Sequence, residues 1–322
     1  MLKKESGNMK SEKYSAIEQS IISLRKHVSI FNDDEEIITE KHDMWSIKKL
    51  LVLRDYVPPF LRILRNNDFE NIHFVDLFSG SGLLKINGKL MPGTSLVPLL
   101  TTKEIITAEG KIFFDEYYLS DIKQKYVTKL KERIKKLSPS KSIKINVEKM
   151  DFSNAVNKIF SGTQPKQDKK RNDAYLVVLD PYGFDVDWTH LERILLSGAV
   201  DIIITFPTRL ARWNQTKQQS AEKLTSMFGS ENWVTFTHED EFVKGYCKKI
   251  EEVPLEWKFK TKAIKVQAGN MTYHLICVSR SKGALNVFSA MEKKFGDVTP
   301  KMLSRVFETA IGEQKTLLQF FE

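Results

Sequence analysis

The stretch Phe74-Val75-Asp76-Leu77-Phe78-Ser79-Gly80-Ser81-Gly82 limits what this chain can fold into more than any other. Ile72, Phe74, Val75 and Leu77 make the apolar run that a strand covered on both faces requires, and Asp76 interrupts it where that strand ends. Gly80 and Gly82 then permit a turn in which backbone amides come close to a ligand. A carboxylate beside a glycine turn, at the carboxyl edge of a parallel sheet, suits a nucleoside-bearing cofactor. A Gly-x-Gly turn also arises for structural reasons alone, so the rest of the chain has to decide between the two.

The pattern repeats downstream. After a long insertion, Phe113 to Asp121 reads as a second strand ending in an acid. A helix separates it from a third, carrying Ile143, Ile145 and Val147 and closing on Asp151-Phe152. A fourth, Ala174 to Leu179, runs into Asp180-Pro181-Tyr182-Gly183, and a fifth, Val200 to Phe206, stops at Pro207. Acid-terminated strands alternating with helices predict an α/β, doubly wound, Rossmann-like sheet, mostly parallel, with its site along one edge. Glu256 to Val266 and Met271 to Val278 alternate apolar and polar residues around Gly269-Asn270, the sign of a closing antiparallel hairpin.

Around this sheet the sequence predicts an N-terminal helical arm over residues 1–40 and an α/β domain over 41–282. A helical insertion over about 208–252 is expected to lie over the site, and a C-terminal helical extension occupies 283–322. In the arm, Ile17, Ile21, Ile22 and Leu24 form helical patches, and Asp33-Asp34-Glu35-Glu36 marks a helix start. Trp45 to Leu64 is more strongly periodic, with Pro58-Pro59 expected to bend or restart the helix. Thr299-Pro300 is another helix start, and the tail ends in an exposed Phe320-Phe321.

Composition closes off several classes. A chain of 322 residues with 41% hydrophobic residues buries a full core. Its two cysteines, Cys247 and Cys277, give neither a disulfide framework nor a Cys-x-x-Cys pair, and His238 and His274 complete no zinc spacing. The polar amino terminus lacks signal-peptide character and no apolar run reaches membrane-spanning length, so a cytoplasmic protein is expected. The net charge of +9 is unevenly spread, with fifteen Lys or Arg against four Asp or Glu between Ile122 and Arg171. Part of this segment is a helix with the apolar stripe Ile122, Tyr126, Leu130, Ile134 and Leu137. Its lysines form either a solvated face or a surface for nucleic acid, where phosphate neutralisation releases counterions.

Several motifs together resemble the three-Cys-motif partner (TcmP) family. They are Trp45, Lys49-Leu50, Leu53 and Tyr56, then Asp76 to Gly82, Gly93-Thr94-Ser95, Asp180 to Gly183, Phe206-Pro207 and Arg212. Two positions depart from the family pattern: Ser81 stands where Pro is common, and Gly93-Thr94-Ser95 replaces a Gly-Ser-Pro triplet. The resemblance implies the class I S-adenosylmethionine-dependent methyltransferase fold. It also implies S-adenosylmethionine as cofactor, held by Asp76, Phe78, Ser79, Gly80 and Gly82 near the methionine portion. Asp121 would take the ribose hydroxyls, and Asp151 with the Phe152 amide would take the adenine. Capping of the following helix is the other reading of Asp121 and Asp151.

Asp180, Pro181 and Tyr182 are the candidate catalytic residues. The turn is similar to that of amino-methyltransferases acting on bases, including adenine enzymes and tRNA guanine N2-methyltransferases. An exocyclic amine has a delocalised lone pair, and oxygen acceptors for its hydrogens localise that pair. Tyr182 would stack on the base; alternatively Pro181 and Gly183 only set the angles of a tight turn. Lys49, placed by the resemblance near the cofactor mouth, and Arg209, Arg212 and Trp213 are the candidate substrate-binding residues, the arginines for phosphate and the indole for stacking, with an ordinary surface role as the alternative for these last three. Asp-Leu-Phe-Ser-Gly also opens cytosine C5-methyltransferases, but these need a Pro-Cys nucleophile, and neither cysteine here follows proline. The expected function is methyl transfer to an exocyclic nitrogen of a nucleic-acid base. The alternative is a non-catalytic or conditionally active partner of a three-Cys-motif protein.

Overall fold

The computed structural model describes residues 2–32, 40–42, 44–109, 112–161, 173–214, 218–268 and 271–312. The acidic run 33–36, the turn at Gly269-Asn270 and Phe320-Phe321 lie outside the described residues, as do the side chains of Trp45 and Trp213.

The first buried strand is β2 (Asn71–Asp76), preceded by a short β1 (Glu40–His42). Further along come β5 (Glu116–Asp121), β6 (Lys144–Lys149), β7 (Asp173–Leu179), β8 (Val200–Phe206), β9 (Lys260–Ala268) and β10 (Met271–Ser279). Together with β2 they form a seven-stranded sheet in the order β6-β5-β2-β7-β8-β10-β9. The pairs β6/β5, β5/β2, β2/β7 and β7/β8 are parallel, and β10 runs antiparallel to both β8 and β9. The strand order reverses at β2, so the carboxyl ends of β2 and β7 flank the switch point where α/β sheets hold ligands. This order, with the antiparallel β10 next to last, is the Rossmann-like sheet of methyltransferase type.

Alternation along the strands divides the core into two layers. Ile72 and Phe74 of β2 and Leu176 and Val178 of β7 face one layer, while Val75 and Val177 face the other. The first layer is covered by α2 (Trp45–Arg65), α3 (Leu96–Glu109), α4 (Gln124–Leu137) and α10 (Lys282–Phe295). Outside α2 lie α1 (Leu2–Arg25) and α11 (Pro300–Ala310), which pack on each other. The second layer is covered by α5 (Phe152–Phe160) and α6 (Trp188–Leu196), then by α8 (Gln218–Phe228) and α9 (Glu239–Glu251). A short α7 (Thr208–Asn214) links β8 to α8.

Local details follow from residue chemistry. Thr299 caps α11 by accepting from the Met302 amide, with Pro300 in the first turn. The α2 helix continues through Pro58 and Pro59 rather than restarting, held by the buried Val57, Phe60 and Leu61 on its core face. Ile122 precedes α4 and is 64% exposed, so the stripe that packs is Tyr126, Val127, Leu130, Ile134 and Leu137. The insertion after Gly82 contains a hairpin, β3 (Leu83–Ile86) and β4 (Lys89–Pro92), joined by Asn87 and Gly88 at positive φ. Among the described residues, none of 208–252 lines the cavity at the sheet edge, and Leu224, Phe228, Phe242 and Tyr246 pack with Phe206 in the second layer. No described helix is long and apolar enough to cross a membrane.

Candidate functional site

A cavity of about 500 Å3 opens at the carboxyl ends of β2, β5, β6 and β7. Its wall brings together Lys49, Phe78, Ser79, Gly80, Gly82, Asp121, Asp151, Phe152, Asp180 and Tyr182, ten of the residues singled out in the sequence. Asp76 lies immediately beneath, fully buried. Among the described residues, Pro181, Arg209 and Arg212 are not part of the wall; the Trp213 side chain lies outside them. Arg209 lies 3.7 Å from Glu239 at the start of α9, and Arg212 is exposed on α7.

The glycine turn is braced from several sides. Gly80 and Gly82 both have positive φ, +56° and +84°. Three successive residues before α3 tie the turn down: the Gly93 amide donates to Gly82 O at 2.7 Å, the Thr94 hydroxyl to Asp76 Oδ2 at 2.7 Å, and the Ser95 hydroxyl to Ser79 O at 3.0 Å. From β5, Ser120 O accepts from the Ser79 amide at 2.9 Å, and Asp121 Oδ2 accepts from the Gly80 amide at 3.1 Å. Arg133 of α4 donates to Ser81 O at 2.7 Å. Although it belongs to the basic run 122–171, this arginine is wholly buried and acts as a pin for the turn.

The acids differ in circumstance. Asp76 accepts from the Phe78 amide at 3.0 Å as well as from Thr94. Burial raises its pKa from 3.8 to about 7; these two hydrogen bonds and Lys49 pull it down, and Asp180 pushes it up. Asp121 accepts from the Lys123 amide at 2.8 Å in addition to Gly80, which fixes its carboxylate at the rim. Asp151 caps α5, taking the Asn154 amide at 2.8 Å and side chain at 2.7 Å. Capping is therefore realised at Asp151, which nonetheless lines the cavity. Next to it Phe152 stacks on Phe78, centroids 5.6 Å apart.

Asp180 is engaged by a lysine from far along the chain. Lys49 of α2 donates to Asp180 Oδ2, and the lysine side chain is only 4% exposed. Asp180 Oδ1 has no hydrogen-bond partner among the described residues. Tyr182 is 72% exposed at the mouth, with the Lys123 ammonium 5.8 Å from its ring centroid. The floor thus carries an ammonium bonded to the Asp180 carboxylate, with Asp76 beneath, and the mouth is aromatic and basic beside the Asp121 carboxylate.

The chemistry of this wall suits a ligand that carries both hydroxyl groups and a flat ring. The rim carboxylate of Asp121 suits hydroxyl donors, and the Phe78–Phe152 pair offers a flat apolar face. A Cβ on Gly82 would meet Leu130 Cδ1 at 2.7 Å and Leu96 Cγ at 3.1 Å, so a larger residue there requires these packed side chains to shift. Among the described residues no group of three or more His, Cys, Asp or Glu is placed to hold a metal.

No family model matches the chain, and no curated protein does. Solved structures give distant likenesses. A Legionella pneumophila protein assigned to the DUF519 family model is 11% identical at a TM-score of 0.44, covering 80% of this chain and 91% of that one. A conserved hypothetical protein of Streptococcus pyogenes is 12% identical at a TM-score of 0.31, covering 68% and 93%. The precorrin 8W decarboxylase of Methanobacterium thermoautotrophicum is 12% identical at 0.30, covering 69% and 88%. These values carry no weight for function, and the fold class rests on the strand order itself.

Two stability measurements test the site. Gly80→Ala meets no neighbour and should cost about 1 kcal/mol from its left-handed backbone alone. Gly82→Ala adds overpacking against Leu130 and Leu96 and should cost about 2–4 kcal/mol in urea denaturation. Equal losses would contradict the close packing at Gly82. For Asp76, the folded chain holds a proton between pH 3.8 and about 7 that the unfolded chain has released. Stability therefore falls as pH rises through that window, by at most ~1.4 kcal/mol per pH unit for this one group. Asp76→Asn should remove that contribution, leaving a shallower slope than wild type in denaturation curves taken across the window.

Proposed function

We propose that this protein is an S-adenosylmethionine-dependent methyltransferase that modifies an exocyclic nitrogen of a nucleic-acid base. The observation that carries the reading is the single cavity shared by the braced glycine turn, the Asp121 rim and the Asp180 to Tyr182 turn. The motif set similar to three-Cys-motif partner proteins supports the same cofactor.

Each residue then has a task. The turn from Ser79 to Gly82 and Phe78 hold the methionine side, Asp121 accepts from the ribose hydroxyls, and Asp151 with Phe152 receives the adenine. When bound, the cofactor supplies an electrophilic methyl group. Asp180 Oδ1 accepts a hydrogen from the target amine, helping to localise the nitrogen lone pair. Lys49 fixes the carboxylate by occupying Oδ2, which leaves one defined acceptor. Tyr182, exposed at the mouth, stacks on the base, and a base in a duplex must first be flipped out. Arg209 and Arg212 lie on α7, which starts just beyond the carboxyl end of β8, and serve a more distant part of the substrate or none.

Calorimetric titration with S-adenosylmethionine and S-adenosylhomocysteine tests this. Wild type and Asp180→Ala should bind alike, whereas Asp121→Ala should bind at least about tenfold more weakly, a loss of roughly 1.4 kcal/mol. Methyl transfer to nucleic acid should fall by about 10²–10⁴ in Asp180→Ala. Absence of binding by the folded wild-type chain would sink the enzyme reading and favour a partner of a three-Cys-motif protein.

A further inference from the structure

We propose that the groove between α4 and β6 guides a single strand of nucleic acid to the cavity mouth. This rests on the nucleic-acid reading above and assigns it a surface. The groove has a volume of about 460 Å3, with Lys131, Lys135 and Lys141 on its walls and Ile143, Ile145 and Val147 along its floor. Side chains alternate along β6, so Lys149 shares the face of Ile145 and Val147. Lys149 is exposed, and the next residues, Met150 and Asp151, line the cavity. β6 therefore leads from the groove, with Lys141 at its far end, past Lys149 to the cavity wall.

The charges on the two faces of β6 are arranged differently. On the face away from the groove, Lys144 lies 3.5 Å from Glu116, and Glu148 is met by Lys158 at 2.5 Å. On the groove face, Lys131, Lys135, Lys141 and Lys149 have no carboxylate partner among the described residues. Uncompensated ammonium groups along an apolar floor match a phosphate backbone whose sugars and bases lie inward.

Dimensions and shape choose the strand number. The six residues of β6 and the fourteen of α4 each extend about 20 Å, the length of about six stacked nucleotides. One helix beside one strand seats one backbone. A single strand also arrives with its bases free to enter the cavity, past Lys123 and the exposed Tyr182. An edge strand has another use for lysines, since charge there blocks pairing with a second chain. That role predicts aggregation on charge removal and no change in nucleic-acid affinity.

Fluorescence anisotropy of the full chain with a labelled oligonucleotide of about 12 nucleotides, twice the groove length, distinguishes these. Single-stranded DNA, single-stranded RNA and a duplex of the same sequence are each titrated over a range of salt. The test variant is Lys131→Gln/Lys135→Gln/Lys141→Gln, with Lys144→Gln on the opposite face as control. Single strands should bind more tightly than duplex, and the triple variant should lower the salt slope by about two to three while the control leaves it unchanged. Binding with an unaltered slope in the triple variant, with or without aggregation, would overturn the groove and leave the nucleic-acid reading standing. Equal or tighter duplex binding would overturn the single-strand assignment. No binding by wild type to any of the three would remove both.

Discussion

A carboxyl group with no access to water, that of Asp76, sets the terms for the whole site. A buried acid is costly unless its oxygens have partners, and here one is met by the Phe78 amide and the other by the Thr94 hydroxyl. The first bond curls the chain directly after β2, and the second anchors the start of α3 beneath the same turn. Gly93 and Ser95 complete that anchor, while Ser120 and Asp121 tie the turn to β5. The glycines are therefore shaped by surrounding bonds before any ligand arrives. Such preorganisation reduces the ordering cost of binding.

The second constraint is electrostatic. Lys49 and Asp180 are both withdrawn from solvent, and an apolar pair of similar volume would stabilise the fold about as well. Their value lies in position: α2, which carries Lys49, is the helix on which α1 and α10 also pack. Lys294 of α10 bonds both Asp55 on α2 and Ser20 on α1. The outer helical layer thus reaches the cavity floor through α2.

Strands β2, β5, β7 and β8 were legible because each is an apolar run whose end is marked by an acid or a proline, a signal confined to a few neighbouring residues. The hairpin of β3 and β4 escaped, although Asn87-Gly88 is a strong turn signal, because each strand has only four residues. Pro58-Pro59 does not restart the helix, since burial of the surrounding face outweighs two missing amide donors. The cavity residues near the strand ends were legible from the glycine turn and the acids. What was not legible depends on long-range pairing. Lys49 and Asp180 stand 131 positions apart, and nothing local to either names the other. Arg133 looks like one more charge in a basic run, and only its three-dimensional surroundings reveal that it is buried. The arginines of α7 illustrate the converse, because their nearness in sequence to a strand end does not carry them into the cavity.

The mutual packing of α1 and α11 bears on how the chain is made. Tyr14 on α1 bonds the sulfur of Met302 on α11 at 3.2 Å, so these helices meet across an interval of 288 positions. At about 5–20 residues per second, a ribosome releases α11 some 15–60 seconds after α1. Throughout that interval Tyr14, buried in the finished molecule, has no Met302 to bond. α2 is made soon after α1 and packs on it early, so the α1–α11 contact is a late closure of the outer helical layer onto elements already in place.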